Sequence, residues 1–338
     1  MPHLSARLIL TAASGVPWRS LTNAAHHRRM EKIAVFVVGG TGEATSSDPA
    51  LPVRGLLRCV VDDLDPRFVA RWVAYPASYG PVPVPDGPSF ADSVAAGVAS
   101  LRAAVSHIDG PWAAIGYSQG CVVIREMLAD NASRPPVAIG LVADPHQPAG
   151  CVRGCDGHGV AGPGRPLPDV PTMWIGDRAD VICNASPDSL VRDIADLTRT
   201  LTTTHPGSWV TMMLRAVRTG ALQNARATSF RPAQWRRDVT RLAVAAREIR
   251  GYLPCTLRIG PLTLPNPTGG RHVAYASDRS DDAAGLTGCA ALAAWLQVIA
   301  TAHLGPIAAV EPGDTLPAAF SPSSSARHAR QAGLGETG

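Results

Sequence analysis

The sequence predicts an α/β protein, a doubly wound parallel sheet with helices on both faces and a helical insertion late in the chain. Three observations carry this reading. Short apolar runs alternate with helical stretches between Ile33 and Ile175, and the first run stops at the pair Gly39-Gly40. From Ser186 to Tyr252 strand signals vanish while helical spacing persists.

The elements follow in order. Ile33-Ala34-Val35-Phe36-Val37-Val38 is unbroken by polar residues, as a strand buried on both faces must be. Trp72-Val73-Ala74-Tyr75 reads as a second strand, stopped by Pro76. Ser89 begins a helix with Asp92 at the capping-box position and Phe90, Val94, Val98, Leu101 and Val105 on one face. Trp112–Gly116 is a third strand, running directly into a helix over Gln119–Asp130. Val137–Val142 and Thr172–Ile175 are the fourth and fifth.

In the insertion, 186–252, helical spacing recurs at Leu190, Val191, Ile194 and Leu197, and again at Val210, Met213, Leu214 and Val217. A third helix, Ala233–Arg250, carries Trp235, Val239, Leu242 and Ala246 on one side. The sheet-bearing core is expected over 30–185 and 253–304, closed by a helix over Ala283–Ala302.

Composition narrows the function classes. The 338 residues are 46% hydrophobic and 17% charged, which suits a folded globular chain and argues against wholesale disorder. No apolar stretch approaches the roughly 20 residues of a membrane span, so no integral membrane segment is expected. The net charge of +4 comes from scattered arginines, with Lys32 the sole lysine, and no nucleic-acid partner is expected. Seven cysteines cannot all pair within the chain, so a complete disulfide scaffold is excluded while one or two bridges stay open.

The ends carry no expected chemistry. Residues 1–29 place Leu8-Ile9-Leu10 before the basic run His26-His27-Arg28-Arg29, the reverse of a secretion signal. They read as a weakly ordered extension, with either Met1 or Met30 as the start. Residues 305–338 mix Pro, Ser, Ala and Gly without periodicity and read as a disordered tail.

The chemistry centres on Gly116-Tyr117-Ser118-Gln119-Gly120, which matches G-x-S-x-G between a strand and a helix. A serine at such a sharp turn is exposed, and the helix N-terminus offers free N–H groups to a developing oxyanion. The hydroxyl needs a base and the base an orienting carboxylate, in α/β-hydrolases in the order Ser, acid, His. After the fifth strand Asp177 and Asp180 both qualify as the acid. His272 lies between the insertion and the final helix, where the base belongs; His107, His205 and His303 are poorly placed. Gly39-Gly40-Thr41-Gly42-Glu43, after the first strand, can bring a second oxyanion donor close. It is neither a phosphate loop nor a dinucleotide fingerprint, and no cofactor is expected. Cys151, Cys155 and His158 have metal-like spacing without a fourth ligand, so no metal is expected; a Cys151–Cys155 bridge or two free thiols fits better. Cys121 reads as a small buried residue.

Four of these segments together resemble the cutinase-like serine esterases. Gly40-Thr41-Gly42-Glu43 is similar to their oxyanion loop, which assigns Thr41 and Gln119 as oxyanion-hole donors. Gly116–Gly120 resembles their nucleophile motif, including the Tyr and Gln. Asp180-Val181-Ile182-Cys183 is similar to their Asp-x-Val-Cys segment, which selects Asp180 over Asp177. His272-Val273-Ala274-Tyr275 resembles the His-x-x-Tyr segment around the base. The long insertion between Asp180 and His272, with Tyr75-Pro76-Ala77 and Asp144-Pro145, resembles the lysin B enzymes of mycobacteriophages. PE-PPE hydrolase domains share similar segments. The cutinase disulfide partner shortly before Cys183 is missing.

The resemblance implies a Ser118–His272–Asp180 triad and hydrolysis of the ester between mycolic acids and arabinogalactan during phage lysis. The enzyme would be a monomer made in the host cytoplasm and acting at the envelope. The alternatives are a secreted cutinase or PE-PPE-type lipase on simpler lipid esters, and a non-catalytic envelope-binding protein.

Overall fold

The computed structural model describes residues 31–43, 52–129, 134–201, 210–211, 215, 232–279 and 285–306. The chain divides into two units, Met1–Gly305 and Pro306–Gly338, and nearly all described residues lie in the first. The two expected terminal extensions fall almost entirely outside the described residues, as do His205, Met213, Leu214 and Val217.

The element order is β1 (Ile33–Val38), α1 (Arg58–Asp62), β2 (Phe68–Trp72), α2 (Phe90–Ser106), β3 (Trp112–Tyr117), α3 (Gln119–Ala129), β4 (Ala138–Val142) and β5 (Thr172–Ile175). Then come α4 (Leu190–Thr198), α5 (Pro232–Tyr252), the hairpin β6 (Thr256–Ile259) and β7 (Leu262–Pro265), a 3-10 helix (Arg271–Ala276) and α6 (Gly288–Leu304).

Strands β1 to β5 form one parallel sheet in the order β2-β1-β3-β4-β5. Every residue of β1, β3 and β4 is buried, so these strands are apolar throughout rather than alternating. This is an α/β-hydrolase-type doubly wound sheet. Because β1 lies between β2 and β3, the chain turns back at the β1–β3 boundary. In open α/β sheets the crevice beyond the strand ends at such a reversal is where ligands bind. The loop after β1 and the turn after β3 both open there.

Helix α2 begins as the sequence suggests: Ser89 Oγ accepts from the Asp92 N–H at 3.2 Å and donates to its carboxylate at 2.6 Å. The second strand, in contrast, lies earlier than expected. It occupies Phe68–Trp72, with Phe68 opposite Ile33 and Trp72 opposite Val37. The apolar run Val73–Tyr75 continues past the ladder, and the Tyr75 phenol donates to the Gly39 carbonyl at 2.6 Å. Past Val73, whose N–H still donates to the Val37 carbonyl at 3.0 Å, its hydrophobicity reflects burial rather than strand pairing.

A second correction concerns α5. Val239 and Leu242, expected on its buried face, are 62% and 60% exposed. The inward face carries the small Ala245, 5% exposed, and otherwise polar side chains. Arg241 donates to the Asp188 carbonyl at 2.8 Å and to the Asp193 carboxylate at 3.0 Å. The Glu248 carboxylate takes the Ser186 N–H at 2.8 Å and the Ser189 hydroxyl. Apolar spacing marks a helical period but cannot identify the buried side when the contact is made by ion pairs.

The hairpin β6–β7 has no counterpart among the strands the sequence predicts. Its strands are four residues each and β7 is exposed throughout, so neither shows the burial pattern that betrays a strand. All seven cysteines are free, Cys151 and Cys155 included, which selects free thiols over a loop bridge. Cys121 is fully buried. Among the described residues, no three His, Cys, Asp or Glu side chains gather as a metal site, and no helix is long and apolar enough to cross a membrane.

Candidate active site

Ser118 sits one residue past β3 with φ of 51°, a left-handed conformation that a non-glycine residue adopts only under constraint. The constraint is visible on both sides. A Cβ on Gly120 would lie 2.1 Å from the Val38 carbonyl oxygen, and one on Gly116 would lie 2.9 Å from the Cys121 nitrogen. Only glycines let α3 start directly against the end of β1. The Ser118 N–H donates to the Val142 carbonyl at 2.9 Å, tying the turn to β4.

The base and acid come from loops far away in sequence. His272, in the 3-10 helix, places Nε2 3.0 Å from Ser118 Oγ and Nδ1 2.8 Å from Asp180 Oδ2. Asp180 is wholly buried, and its Oδ1 accepts the Ile182 N–H at 3.0 Å. Burial alone would push its carboxyl pKa up. His272, the hydrogen bond from it, the Tyr275 phenol and the Ile182 N–H outweigh that, holding it below the ordinary carboxylate range. Asp177 is excluded from this arrangement: its carboxylate caps the Ala179 N–H at 2.7 Å in the same turn.

Two further residues complete the site, and no motif spacing gives either a role. Tyr275 donates its phenol proton to Asp180 Oδ2 at 2.6 Å. Glu43 organises the loop after β1: its carboxylate accepts the Gly40 N–H and the Leu56 N–H, each at 2.8 Å. Both residues lie inside the motifs; the signal in Glu43 is an acid three residues past Gly40, the reach of a turn-closing side chain.

The two proposed oxyanion donors face each other across the crevice. Thr41 Oγ1 lies 3.4 Å from Gln119 Oε1. Gln119 Nε2 donates to the Ser78 carbonyl at 2.9 Å, and the Gly42 N–H donates to the Ala77 carbonyl at 2.7 Å. One segment, Ala77-Ser78, therefore braces both loops. A Cβ on Gly40 would strike the Tyr117 ring at 2.7 Å, so only glycine lets this loop approach the elbow so closely.

Asp144, which follows β4, is wholly buried. It pairs with Arg125 Nε at 2.8 Å, both residues being buried, and accepts the Trp174 indole N–H at 3.2 Å.

A parallel sheet with a serine on a strained strand-to-helix turn, a buried Asp–His pair hydrogen-bonded to it and a glycine loop at the reversal is the arrangement of a hydrolase of the α/β-hydrolase class. Within that class the chain resembles the cutinase-like serine esterases and lysin B.

Residues 66–154 match the PE-PPE domain family. A stretch of 75 residues is 39% identical to the SL1278 acyltransferase Chp1 of Mycobacterium tuberculosis, covering 21% of this chain and 19% of that protein. Among solved structures, lysin B from mycobacteriophage D29 matches 79% of this chain and 99% of its own, at 16% identity and a TM-score of 0.45. An acetylxylan esterase matches 56% of this chain and 98% of its own at 21% identity and 0.37. A cutinase-like protein from Cryptococcus sp. matches 45% and 79% at 15% identity and 0.35.

Proposed function

We propose that the protein is a serine esterase that cleaves acyl esters by way of a covalent Ser118 intermediate, and that its substrate is the ester joining mycolic acids to arabinogalactan. The observation that carries the esterase reading is the unbroken hydrogen-bonded line Ser118–His272–Asp180 at 3.0 and 2.8 Å. His272 takes the Ser118 proton as the hydroxyl attacks the ester carbonyl. Asp180 holds the imidazole with Nδ1 protonated and stabilises the imidazolium. The N–H groups of Thr41 and Gln119 bind the oxyanion. His272 then protonates the departing sugar alcohol, and water, deprotonated by the same imidazole, releases the acid.

Exposed apolar residues lie beside the loop after β1 and next to His272. Val82 and Val84 are each 53% exposed on the turn whose Pro83 packs on Gly42, and Val273, next to His272, is 63% exposed. Such a rim suits a long acyl chain. The insertion between acid and base, which resembles that of lysin B, favours an envelope substrate and action at the cell envelope.

The PE-PPE match and the Chp1 stretch favour a second reading, in which a sugar or lipid alcohol replaces water and the acyl group is transferred. The test is hydrolysis of p-nitrophenyl butyrate by wild type and Ser118→Ala, followed by purified mycolyl-arabinogalactan. Ser118-dependent release of free mycolic acids supports the leading reading. Ester products in the presence of a sugar alcohol support transfer. Hydrolysis that survives Ser118→Ala overturns both.

A further inference from the structure

Tyr252 is the last residue of α5, the long helix of the insertion, and its ring packs on the His272 imidazole with centroids 5.1 Å apart and planes inclined by 41°. A second phenol, Tyr117, packs on the same imidazole at 5.1 Å and 31°, and its hydroxyl donates to the His272 carbonyl at 2.8 Å. Both imidazole nitrogens are already engaged by Ser118 and Asp180. The base is therefore held at its edges by hydrogen bonds and on its ring surface by two aromatic residues.

The placement of Tyr252 is built rather than incidental. A Cβ on the preceding Gly251 would lie 2.5 Å from the Ala179 carbonyl oxygen, so the helix end rests directly on the loop that carries Asp180. On the other side, the Gly270 N–H donates to the Leu253 carbonyl at 2.7 Å, joining the helix end to the loop that carries His272. Asn266, 2% exposed, donates to the Arg250 carbonyl at 2.8 Å and caps the helix from the same loop. The end of α5 is thus wedged between the acid loop and the base loop, with Tyr252 at the point of contact.

We propose that Tyr252 is a positioning residue for the catalytic base, through which the helical insertion holds the His272 imidazole in line between Ser118 and Asp180. The proposal rests on the serine-esterase reading. An imidazolium forms in the transition state, and an aromatic face against it stabilises the charge as well as the ring orientation. The phenol hydroxyl is not required, so phenylalanine should serve.

The test compares Tyr252→Phe, Tyr252→Leu and Tyr252→Ala in the full chain on p-nitrophenyl butyrate, with rates expressed per Ser118 labelled by a fluorophosphonate. The expected result is a fall in kcat of about ten-fold for Leu and Ala, with KM changed less than about two-fold and Phe close to wild type. Leu preserves apolar bulk, so it reports on the aromatic face even if Ala does not fold. A rise in KM at constant kcat makes the ring a substrate contact and overturns the proposal. Equal loss in Phe and Leu, or no loss in Leu, also overturns it. Turnover that persists in Ser118→Ala separately removes the esterase reading.

Discussion

Tyr275 and His272 converge on a single oxygen, Oδ2 of Asp180, at 2.6 and 2.8 Å. One lone-pair direction orients the base and the other is satisfied by a phenol from the same 3-10 helix, three residues on. Burial pushes the Tyr275 pKa well above its ordinary value, with the Asp180 charge adding to it, so the phenol stays a donor across the neutral range.

Removing that donor should weaken the acid without breaking the relay. Tyr275→Phe loses a hydrogen bond to a charged group, a stability cost of about 1.5–3 kcal/mol. Urea unfolding should show that loss, and kcat should fall while the Ser118 hydroxyl remains reactive to a fluorophosphonate. An unchanged urea midpoint would mean that the phenol and carboxylate do not interact in solution.

The two carboxylates of the loop after β5 should separate cleanly. Asp180→Asn presents the wrong hydrogen-bonding partner to Nδ1 and should lower kcat by about 10⁴-fold. Asp177→Asn keeps an acceptor for the Ala179 N–H and should stay within about two-fold of wild type. The reverse ranking in steady-state kinetics would transfer the acid role to Asp177.

The low pKa of Asp180 sets a pH dependence of stability. Its contribution is fully present above the unfolded value of about 3.9 and is lost as pH falls through the folded value. In Asp180→Asn it is absent at every pH. The gap in Tm between wild type and variant should therefore shrink as pH falls below about 4. A gap that widens on acidification contradicts a depressed pKa.

The elbow should tolerate no side chain at its second glycine. Gly120→Ala places a methyl 2.1 Å from the Val38 carbonyl oxygen, against backbone that cannot retreat without moving β1. Soluble yield or fluorophosphonate labelling should collapse. Full labelling of a soluble Gly120→Ala protein would show that α3 does not start where the structure puts it.

The buried ion pair of Arg125 and Asp144 should be costly to break from one side. Arg125→Met strands the Asp144 carboxylate, whose charge the neutral donors left to it, the Trp174 indole and the His146 N–H, do not offset, and should cost about 3–5 kcal/mol. Chemical denaturation measures this directly, and a loss under about 1 kcal/mol would mean that water reaches Asp144.

Much of the fold was legible because its signals are local. The fifth strand begins and ends where its apolar run does, and the third and fourth fall within one residue of theirs. Ser89 starts α2 by side-chain chemistry confined to four residues. The elbow is equally local, since a glycine two residues either side of Ser118 is a statement about one turn. The second strand misled because Ala74 and Tyr75 lie past the last bond to β1 while Tyr75 is buried all the same, and apolar sequence reports burial alone. The face of α5 misled because Arg241 and Glu248 make the inward contacts.

By itself, then, the sequence determined a parallel α/β sheet, the turn that exposes Ser118, the glycine loop opposite it and the histidine available as a base. Only the tertiary structure decided, from geometry, which carboxylate meets that histidine, because Asp180 and His272 are 92 residues apart and their contact depends on how two loops fold together. It also decided that Tyr275 shares the acid and that Tyr252, at the end of the insertion, lies on the base. Periodicity and turn chemistry act over a few residues. A buried carboxylate, an aromatic contact and a shared hydrogen-bond acceptor exist only when distant segments arrive at one place.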